Sequence, residues 1–353
     1  MADAPVHDPL PTTVLTGFLG SGKTTFLRRA LRSPELSDTA VVVNEIGEIA
    51  IDHYLVDFVE GEVLELPGGC LCCAMREDLA RTLRDLLDRR DAGTIRPFGR
   101  IVIETSGLAD PAPILFTLGA DPMLDARLSL ARVVTLVDAV TGADTLRRFA
   151  EAARQVAVAD ALVVSKTDLA PFGAASTARL DALNANAERL LAADADPRAV
   201  LFGGAATRAA GGREGVDGRA DPGHDDRGTH AVHSHGIETF SIVLDKPMSR
   251  FDFAKALGGL SRERGNDLLR VKGLVAFADC PDRPAVVQAA QHTMFAPEWL
   301  DAWPDDDRRS RLVFVVQDIP RAEVLAHFAL ASPAVSGSRP SRPQADETSA
   351  LHS

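Results

Sequence analysis

The sequence predicts an α/β protein in which a doubly wound, mostly parallel sheet is followed by a smaller α+β domain. Short apolar runs alternate with stretches of helical spacing over residues 12–202. Strands separated by helices form parallel sheets that are covered on both faces. A stretch rich in Gly, Asp, Arg and His then interrupts the pattern, and a second set of strands follows it. A chain of 353 residues has room for two or three cores.

Apolar runs and leucine spacing give the predicted elements in order. The first domain should contain strands at 13–16, 40–43, 101–104, 133–138 and 161–165. Leucines three and four residues apart predict helices over 77–90 and 177–191. The second domain should contain strands at 238–244, 268–278 and 312–317 and a helix at 251–260.

These elements predict five segments along the chain. They are an N-terminal tail (1–11), a first domain (12–202), a linker (203–236), a second domain (237–331) and a disordered tail (332–353). The linker contains four of the nine histidines, which are His224, His230, His233 and His235. They fit either a loose metal-collecting tether or a solvated linker in which histidine is incidental.

Composition narrows the classes of partner and compartment. The 38 basic and 50 acidic residues give a net charge of −12, which argues against nucleic acid or an anionic membrane as a partner. No apolar run approaches the ~18 residues that a membrane helix needs, and residues 1–11 lack the pattern of a signal peptide. Four cysteines, three of them crowded together, favour a reducing compartment over a disulfide framework. We expect a cytoplasmic protein.

A complete phosphate-binding loop begins at Gly17 and ends at Thr24, after a predicted strand and before a predicted helix. Its glycines let backbone amides converge on phosphates at the positive end of the helix. Lys23 should reach the outer phosphates and the Thr24 hydroxyl should bind Mg²⁺. The alternative is an incidental glycine-rich turn. The nucleotide-binding residues predicted from this segment are Gly17, Gly20, Ser21, Gly22, Lys23, Thr24 and Thr25.

The strand at 101–104 ends in an acidic residue, Glu104, and is followed by Gly107. Folds with a phosphate loop place the carboxylate that holds Mg²⁺, or its water shell, at such a strand end. The Gly107 amide would then face the terminal phosphate, so we count Lys23, Thr24, Glu104 and Gly107 as catalytic candidates. The alternative is a strand that merely ends at a polar turn.

The strand at 161–165 leads into a predicted base-recognition turn made of Ser165, Lys166, Thr167 and Asp168. An Asp in this position accepts two hydrogen bonds from guanine, and the Lys stem packs along the base. Adenine cannot supply those two donors, so an ATP complex would leave a charged acceptor unpaired. Such a turn also occurs by chance, but its place in the chain favours GTP over ATP. The contacts predicted here are Ser165, Lys166 and Asp168.

Cys70, Cys72 and Cys73 bring three soft ligands together, immediately before a helix predicted over 76–87. Three thiolates suit zinc, copper(I) or cobalt(II), and the helix dipole should stabilise them. They leave one tetrahedral position open, which a metal donor needs if a recipient's ligand is to enter. The alternatives are three buried cysteines and a redox dithiol formed by Cys72 and Cys73.

Residues 44–53 lie where a switch loop should follow the phosphate loop. We expect Glu45 or Glu48 to bind a metal or to join the Mg²⁺ shell, which would couple the phosphate state to the cysteines. The alternative is a solvated acidic loop.

Taken in order, these motifs resemble the CobW family of GTPases, relatives of the urease and hydrogenase nickel-insertion GTPases. The likeness runs from about residue 12 to residue 318 and rests on 17–25, 44–48, 69–73, 104–111 and 165–168. Residues 269–273, 287–292 and 307–313 resemble the family's C-terminal domain. Ser165 replaces the Asn of the wider GTPase pattern.

The resemblance implies a weak intrinsic GTPase that uses GTP and Mg²⁺. It also implies that Cys70, Cys72 and Cys73 load Zn²⁺, or Co²⁺ in some members, and deliver it to a client metalloprotein. A homodimer formed on GTP binding is left open, as are the client and the metal used in the cell. Two alternatives stand beside this hypothesis: a zinc-buffering protein that holds nucleotide for structural reasons, and a small-molecule kinase using the same loop.

Overall fold

A computed structural model describes residues 8–44, 63–65, 72–203 and 235–331. These residues form two sheets with helices around them, which confirms the predicted α/β fold class. Among them, no helix combines the length and the apolar composition needed to cross a membrane.

The first sheet has seven strands, all parallel to their neighbours, in the order β3-β2-β4-β1-β5-β6-β7. The strands are β1 (Leu10–Gly17), β2 (Thr39–Asn44), β3 (Val63–Glu65), β4 (Arg100–Thr105), β5 (Leu128–Asp138), β6 (Ala161–Ser165) and β7 (Glu188–Leu191). All five predicted strands are present, and the short strands β3 and β7 are added at the two edges. Because every neighbouring pair is parallel, all carboxyl ends meet at one edge of the sheet.

Helices cover both faces of this sheet. They are α1 (Lys23–Leu31), α2 (Cys72–Asp91), α3 (Ala112–Ala120), α4 (Pro122–Asp125), α5 (Gly142–Arg148), α6 (Ala150–Ala157), α7 (Ala174–Asn184) and α8 (Pro197–Phe202), with a 3₁₀ turn at Pro34–Leu36. Side chains alternate between faces along a strand. Val14 therefore joins the core formed with α2, α3, α6 and α7, whereas Leu15 joins the core formed with α1 and α8.

The helix predicted over 177–191 is wrong in its second half, because α7 ends at Asn184 and Glu188–Leu191 is strand β7. The Asn184 amide donates to the carbonyl oxygens of Val156, Ala157 and Ala159 at 2.8–2.9 Å. Its own side-chain oxygen accepts from the Ala187 N–H at 3.0 Å. A buried Asn with all these bonds satisfied fixes the end of the helix, which leucine spacing does not reveal.

The second sheet is antiparallel, in the order β11-β10-β9-β13-β8, with β12 paired to β10. Its strands are β8 (Ile237–Leu244), β9 (Leu268–Phe277), β10 (Cys280–Ala290), β11 (Thr293–Met294), β12 (Glu298–Trp299) and β13 (Ser310–Gln317). Helices α9 (Arg250–Arg264) and α10 (Arg321–Ala331) pack on each other and on the core of this sheet.

The predicted strands and helix of this second part are present, but β10 was missed. Its first residues include Pro281, Asp282 and Pro284, which are typical of a turn. The structure accommodates them in a register shift between Cys280 and Ala285, after which the strand pairs regularly with β9.

The two sheets are joined by a buried charge cluster around Asp160, which lies between α6 and β6. The Asp160 carboxylate accepts hydrogen bonds from Arg270 and Lys272, two residues of β9, at 2.8 Å each. It also accepts from the Val133 N–H at 2.8 Å. Burial by itself would raise the pKa of Asp160, but the charges of Arg270 and Lys272 and these hydrogen bonds lower it to about 2. The carboxylate is therefore ionised throughout the neutral range.

We expect Asp160→Asn to lower the free energy of unfolding by about 3 kcal/mol at pH 7, because it leaves the buried Arg270 and the partly buried Lys272 without their anion. The pKa of Asp160 is lower in the folded chain than the ~3.9 of an unfolded Asp, so its stabilisation is present above about pH 4 and is lost as pH falls toward about 2. Urea unfolding at pH 7, 4 and 2.5 should show the difference between the wild type and the variant shrinking with acid.

The control is Asp144→Asn, which removes an exposed carboxylate paired with Arg147 and Arg148. Exposed pairs contribute little, so this variant should stay within about 0.5 kcal/mol of the wild type. Equal losses in the two variants would contradict the role given to the Asp160 cluster.

Candidate functional site

The phosphate loop connects β1 to α1 at the carboxyl edge of the first sheet. Gly20 and Gly22 have φ of +70° and +92°, a backbone region that favours glycine. The Lys23 ammonium is buried and donates to the carbonyl oxygens of Gly17 at 2.9 Å and Phe18 at 3.4 Å. The loop therefore curls around its own lysine.

Gly17, where β1 ends, has no room for a side chain. Its φ is +141°, and a Cβ there would lie 2.5 Å from the carbonyl oxygen of Leu136 and 2.7 Å from the Ser21 hydroxyl. The loop therefore packs directly against β5.

Thr24 and Glu104 meet at the edge where β1 and β4 end. The Thr24 hydroxyl donates to the Glu104 carboxylate at 2.7 Å, and Glu104 is only 4% exposed. Thr24 and Thr25 are exposed on the first turn of α1. Mg²⁺ prefers oxygen ligands, and a hydroxyl beside a carboxylate at a phosphate loop fits that preference.

Gly107 lies directly against the phosphate loop. A Cβ at this position would lie 2.6 Å from the backbone nitrogen of Leu19 and 2.7 Å from its Cα. Contacts below 3.0 Å with backbone atoms cannot be relieved by a side-chain rotation. The structure thus brings Lys23, Thr24, Glu104 and Gly107, the four catalytic candidates, to one place.

The turn predicted to recognise the base is tied to the phosphate loop. The Ser165 hydroxyl donates to the carbonyl oxygen of Ser21 at 2.6 Å. Lys166 adopts a left-handed backbone conformation with φ of +57°, and Asp168 is exposed. The Ser165 that departs from the usual Asn therefore still links the two loops.

Asp138, at the end of β5, belongs to this site and was not singled out from the sequence. It lies opposite Ser165 in the pairing of β5 with β6, and its carboxylate lies 3.6 Å from the Lys166 ammonium. Burial by itself would raise its pKa, but hydrogen bonds from Thr141 and Val140 and the charge of Lys166 hold the pKa below its usual value. An acidic residue ending a buried strand was the available signal.

Gln155 of α6 was also missed. Its side chain is fully buried, and its amide donates to the carbonyl oxygens of Ala109 at 2.9 Å and Gly107 at 3.3 Å. A buried amide on a helix gives no sequence signal of its own, because its partners lie 46 and 48 residues away in the chain.

The metal-ligand candidates are only partly described. Cys70, Glu45 and Glu48 lie outside the described residues, so the cysteine site and the switch carboxylates stay predictions. Helix α2 starts earlier than predicted: it begins at Cys72 rather than near residue 76, so Cys72 and Cys73 are in its first turn. An N-terminal helical turn tolerates cysteine, and leucine spacing cannot locate the start of a helix within a few residues.

Three of the linker histidines, His224, His230 and His233, also lie outside the described residues. His235 is described, and its backbone has φ of +54° where the chain enters β8. Its carbonyl oxygen accepts from the Gln317 amide at 3.3 Å. The tether hypothesis for these histidines therefore stays a prediction.

We expect Gly107→Ala to weaken binding of a non-hydrolysable GTP analogue with Mg²⁺ by about 10- to 100-fold, because overpacking against backbone costs about 1–3 kcal/mol. The matched control is Gly173→Ala, where a Cβ meets nothing within 4 Å and φ is −76°. Calorimetric titration of both variants measures the effect. Unchanged affinity in Gly107→Ala would show that the loop and Gly107 are not packed as described.

Two protein families match this chain. Residues 11–191 match the family described as CobW/HypB/UreG, nucleotide-binding domain. Residues 237–331 match the Cobalamin synthesis protein cobW C-terminal domain.

Several characterised proteins are similar over most of the chain. The zinc chaperone YjiA of Escherichia coli is 33% identical over 323 residues, which are 91% of this chain and 98% of that protein. The zinc chaperone CobW of Pseudomonas aeruginosa is 30% identical and covers 89% of both chains. The crystal structure of Zn(II)-bound YjiA GTPase from E. coli superposes with a TM-score of 0.64 at 29% identity, covering 92% of this chain and 100% of that one.

Proposed function

Because the chain belongs to the CobW/HypB/UreG family of nucleotide-binding proteins, we propose that it is a GTP-hydrolysing metallochaperone that carries zinc to a client metalloprotein. Family membership agrees with the resemblance drawn from the motifs. The names of its relatives, zinc chaperones and a GTPase with bound Zn(II), support GTP, Mg²⁺ and zinc as its ligands. Cobalt stays an alternative cargo.

The observation that carries the proposal is that nucleotide and cysteine motifs share one edge of the first sheet. Strands β3, β2, β4 and β1 are neighbours and parallel, so their carboxyl ends lie side by side. The chain leaves β3 at Glu65 and enters α2 at Cys72, before returning to start β4 at Arg100. Crossover connections of this kind place the start of the helix at the carboxyl edge. Cys72, Cys73 and the Thr24–Glu104 pair are thus at the same edge of the sheet.

The nucleotide end of this edge supplies the groups that phosphoryl transfer to water requires. Lys23 and the amides of the phosphate loop bind the phosphates. Thr24 and Glu104 would hold Mg²⁺, which neutralises charge on the phosphate oxygens. Gly107, packed against Leu19, presents backbone at the place where a terminal phosphate meets the loop. An exposed Asp168 is available to accept from guanine.

The cysteine end supplies a thiolate site at a positive helix terminus. Cys72 and Cys73 lie in the first turn of α2, where the helix dipole favours negative charge. With Cys70 they make three ligands and leave a fourth position for a client's ligand. A tenfold difference in zinc affinity between nucleotide states needs only about 1.4 kcal/mol of coupling. By reciprocity, bound zinc then raises the affinity of the protein for GTP by the same factor.

We expect a non-hydrolysable GTP analogue with Mg²⁺ to raise the zinc affinity of the metal-free protein by about tenfold. The measurement is a zinc titration against a competing chelator, with and without the analogue. A variant with Cys70, Cys72 and Cys73 all changed to Ser should lose tight binding, while Cys280→Ser, which changes a free cysteine of the second sheet, should not. Light scattering of the same samples measures whether the analogue induces a homodimer.

The alternatives predict other results. Zinc affinity that ignores nucleotide, together with no GTP turnover, would favour the zinc buffer. Phosphoryl transfer to an added acceptor rather than to water would favour the small-molecule kinase. Transfer of zinc from the loaded protein to an apo client, faster with GTP than with GDP, is the outcome that the metallochaperone requires.

We expect Asp168→Asn to weaken GTP binding by at least about tenfold, because hydrogen bonds to a charged group contribute about 1.5–3 kcal/mol. The same variant should gain affinity for xanthosine triphosphate, whose base offers a carbonyl where guanine offers an amino group. Competition titrations with GTP, XTP and ATP measure the change. Unchanged preference for GTP would remove Asp168 from the base-recognition turn.

A further inference from the structure

Helix α6 holds the loop that follows Glu104 through two consecutive residues. Gln155 donates to the carbonyl oxygens of Gly107 and Ala109 from a fully buried position. Arg154, its neighbour, has its guanidinium 3.4 Å from the Asp110 carboxylate. The same carboxylate accepts from the Ala112 N–H at 2.9 Å at the start of α3. The backbone from Gly107 to Asp110 is therefore positioned from one helix.

Arg154 also reaches the second sheet. Its Nη2 and Nε both donate to the Gln317 side-chain oxygen, at 2.8 and 3.2 Å. Gln317 is the last residue of β13 and is itself fixed, since its backbone N–H donates to Asp267 at 2.7 Å and its amide donates to the His235 carbonyl at 3.3 Å. One guanidinium thus touches both the loop beside the nucleotide and the C-terminal sheet.

The end of α6 is anchored to the same sheet by a separate contact. Asp160, three residues beyond the helix, pairs with Arg270 and Lys272 of β9. None of these three side chains contacts the loop from Gly107 to Asp110 through a hydrogen bond described in the structure. The Arg154 contact therefore reaches the loop, whereas the Asp160 contact only holds the two sheets together.

We propose that Gln317 is a positioning residue for GTP hydrolysis, acting through Arg154 on the backbone from Gly107 to Asp110. The inference rests on the proposed GTPase function. Gly107 packs on Leu19 of the phosphate loop, so any shift of this backbone changes the site that a terminal phosphate enters. A shift of β13 in the C-terminal sheet would move Arg154 and, through Asp110, this backbone, and would thereby change the rate of hydrolysis.

The test compares three single variants of the full chain in a steady-state GTPase assay. Gln317→Leu removes the acceptor of Arg154 and should lower kcat about tenfold, with KM within about twofold, because the phosphate loop that binds GTP is untouched. Gln317→Glu keeps an acceptor for Arg154 and should restore kcat to within about twofold. Lys272→Met weakens the Asp160 cluster without touching the loop and should leave kcat unchanged.

A second measurement separates positioning from stability. Gln317→Leu combined with Arg154→Leu should lower kcat no further than Arg154→Leu alone, because Gln317 acts on the loop only through Arg154. Urea unfolding of all variants reports the stability of the junction, and Lys272→Met should lose at least as much stability as Gln317→Leu.

Each remaining outcome overturns the inference in an identifiable way. Equal loss of kcat in Lys272→Met and Gln317→Leu would assign the effect to general loosening of the junction. If Gln317→Glu lowers kcat as much as Gln317→Leu does, the effect would come from the lost contact between Gln317 and His235. If the wild type hydrolyses GTP and Gln317→Leu has the same kcat, the inference about Gln317 is wrong and the proposed function still stands. If the wild type shows no GTP turnover, both the inference and the proposed function are wrong.

Discussion

The meeting of Thr24 and Glu104 at 2.7 Å depends on the parallel pairing of β1 with β4, in which Leu15 lies opposite Glu104. Once these two strands end together, the phosphate loop and the acidic strand end face one another. The buried Lys23 and the close approach of Gly107 to Leu19 are found at the same edge of the sheet. A one-residue slip in the register of β4 would move the carboxylate to the opposite face of the sheet and separate it from the Thr24 hydroxyl.

The same constraint links the other parts of the molecule. Because β5 and β6 extend the sheet beyond β1, Asp138 and Ser165 lie opposite one another, and Ser165 reaches back to Ser21. On the other side, β2 and β3 bring the start of α2 to the edge that binds nucleotide. The proposed gating of metal by phosphate state needs the nucleotide and cysteine motifs close together, and this strand order supports that proposal.

The second sheet joins the first along α6, through charged and polar groups rather than through an apolar seam alone. In the Asp160 cluster one carboxylate pairs with two cations of β9, an arrangement that fixes the orientation of the two parts more than it adds stability. Arg154 adds a second contact, because it pairs with Asp110 of the loop beside the nucleotide and donates to Gln317 of the second sheet. Through this contact, the C-terminal sheet can influence the rate of GTP hydrolysis in the proposed mechanism.

The sequence by itself determined most of the regular elements and predicted a chemistry for each motif. The glycines of the phosphate loop, the Ser165 to Asp168 turn and the crowded cysteines act within a few residues of chain, so their spacing is readable directly. Only the tertiary structure decided which distant residues serve them: Gln155 and Gly107 are 48 residues apart, and Arg154 and Gln317 are 163 apart. Such partners are set by strand order and by the packing of α6 between two sheets, and helical or strand periodicity contains no information about either.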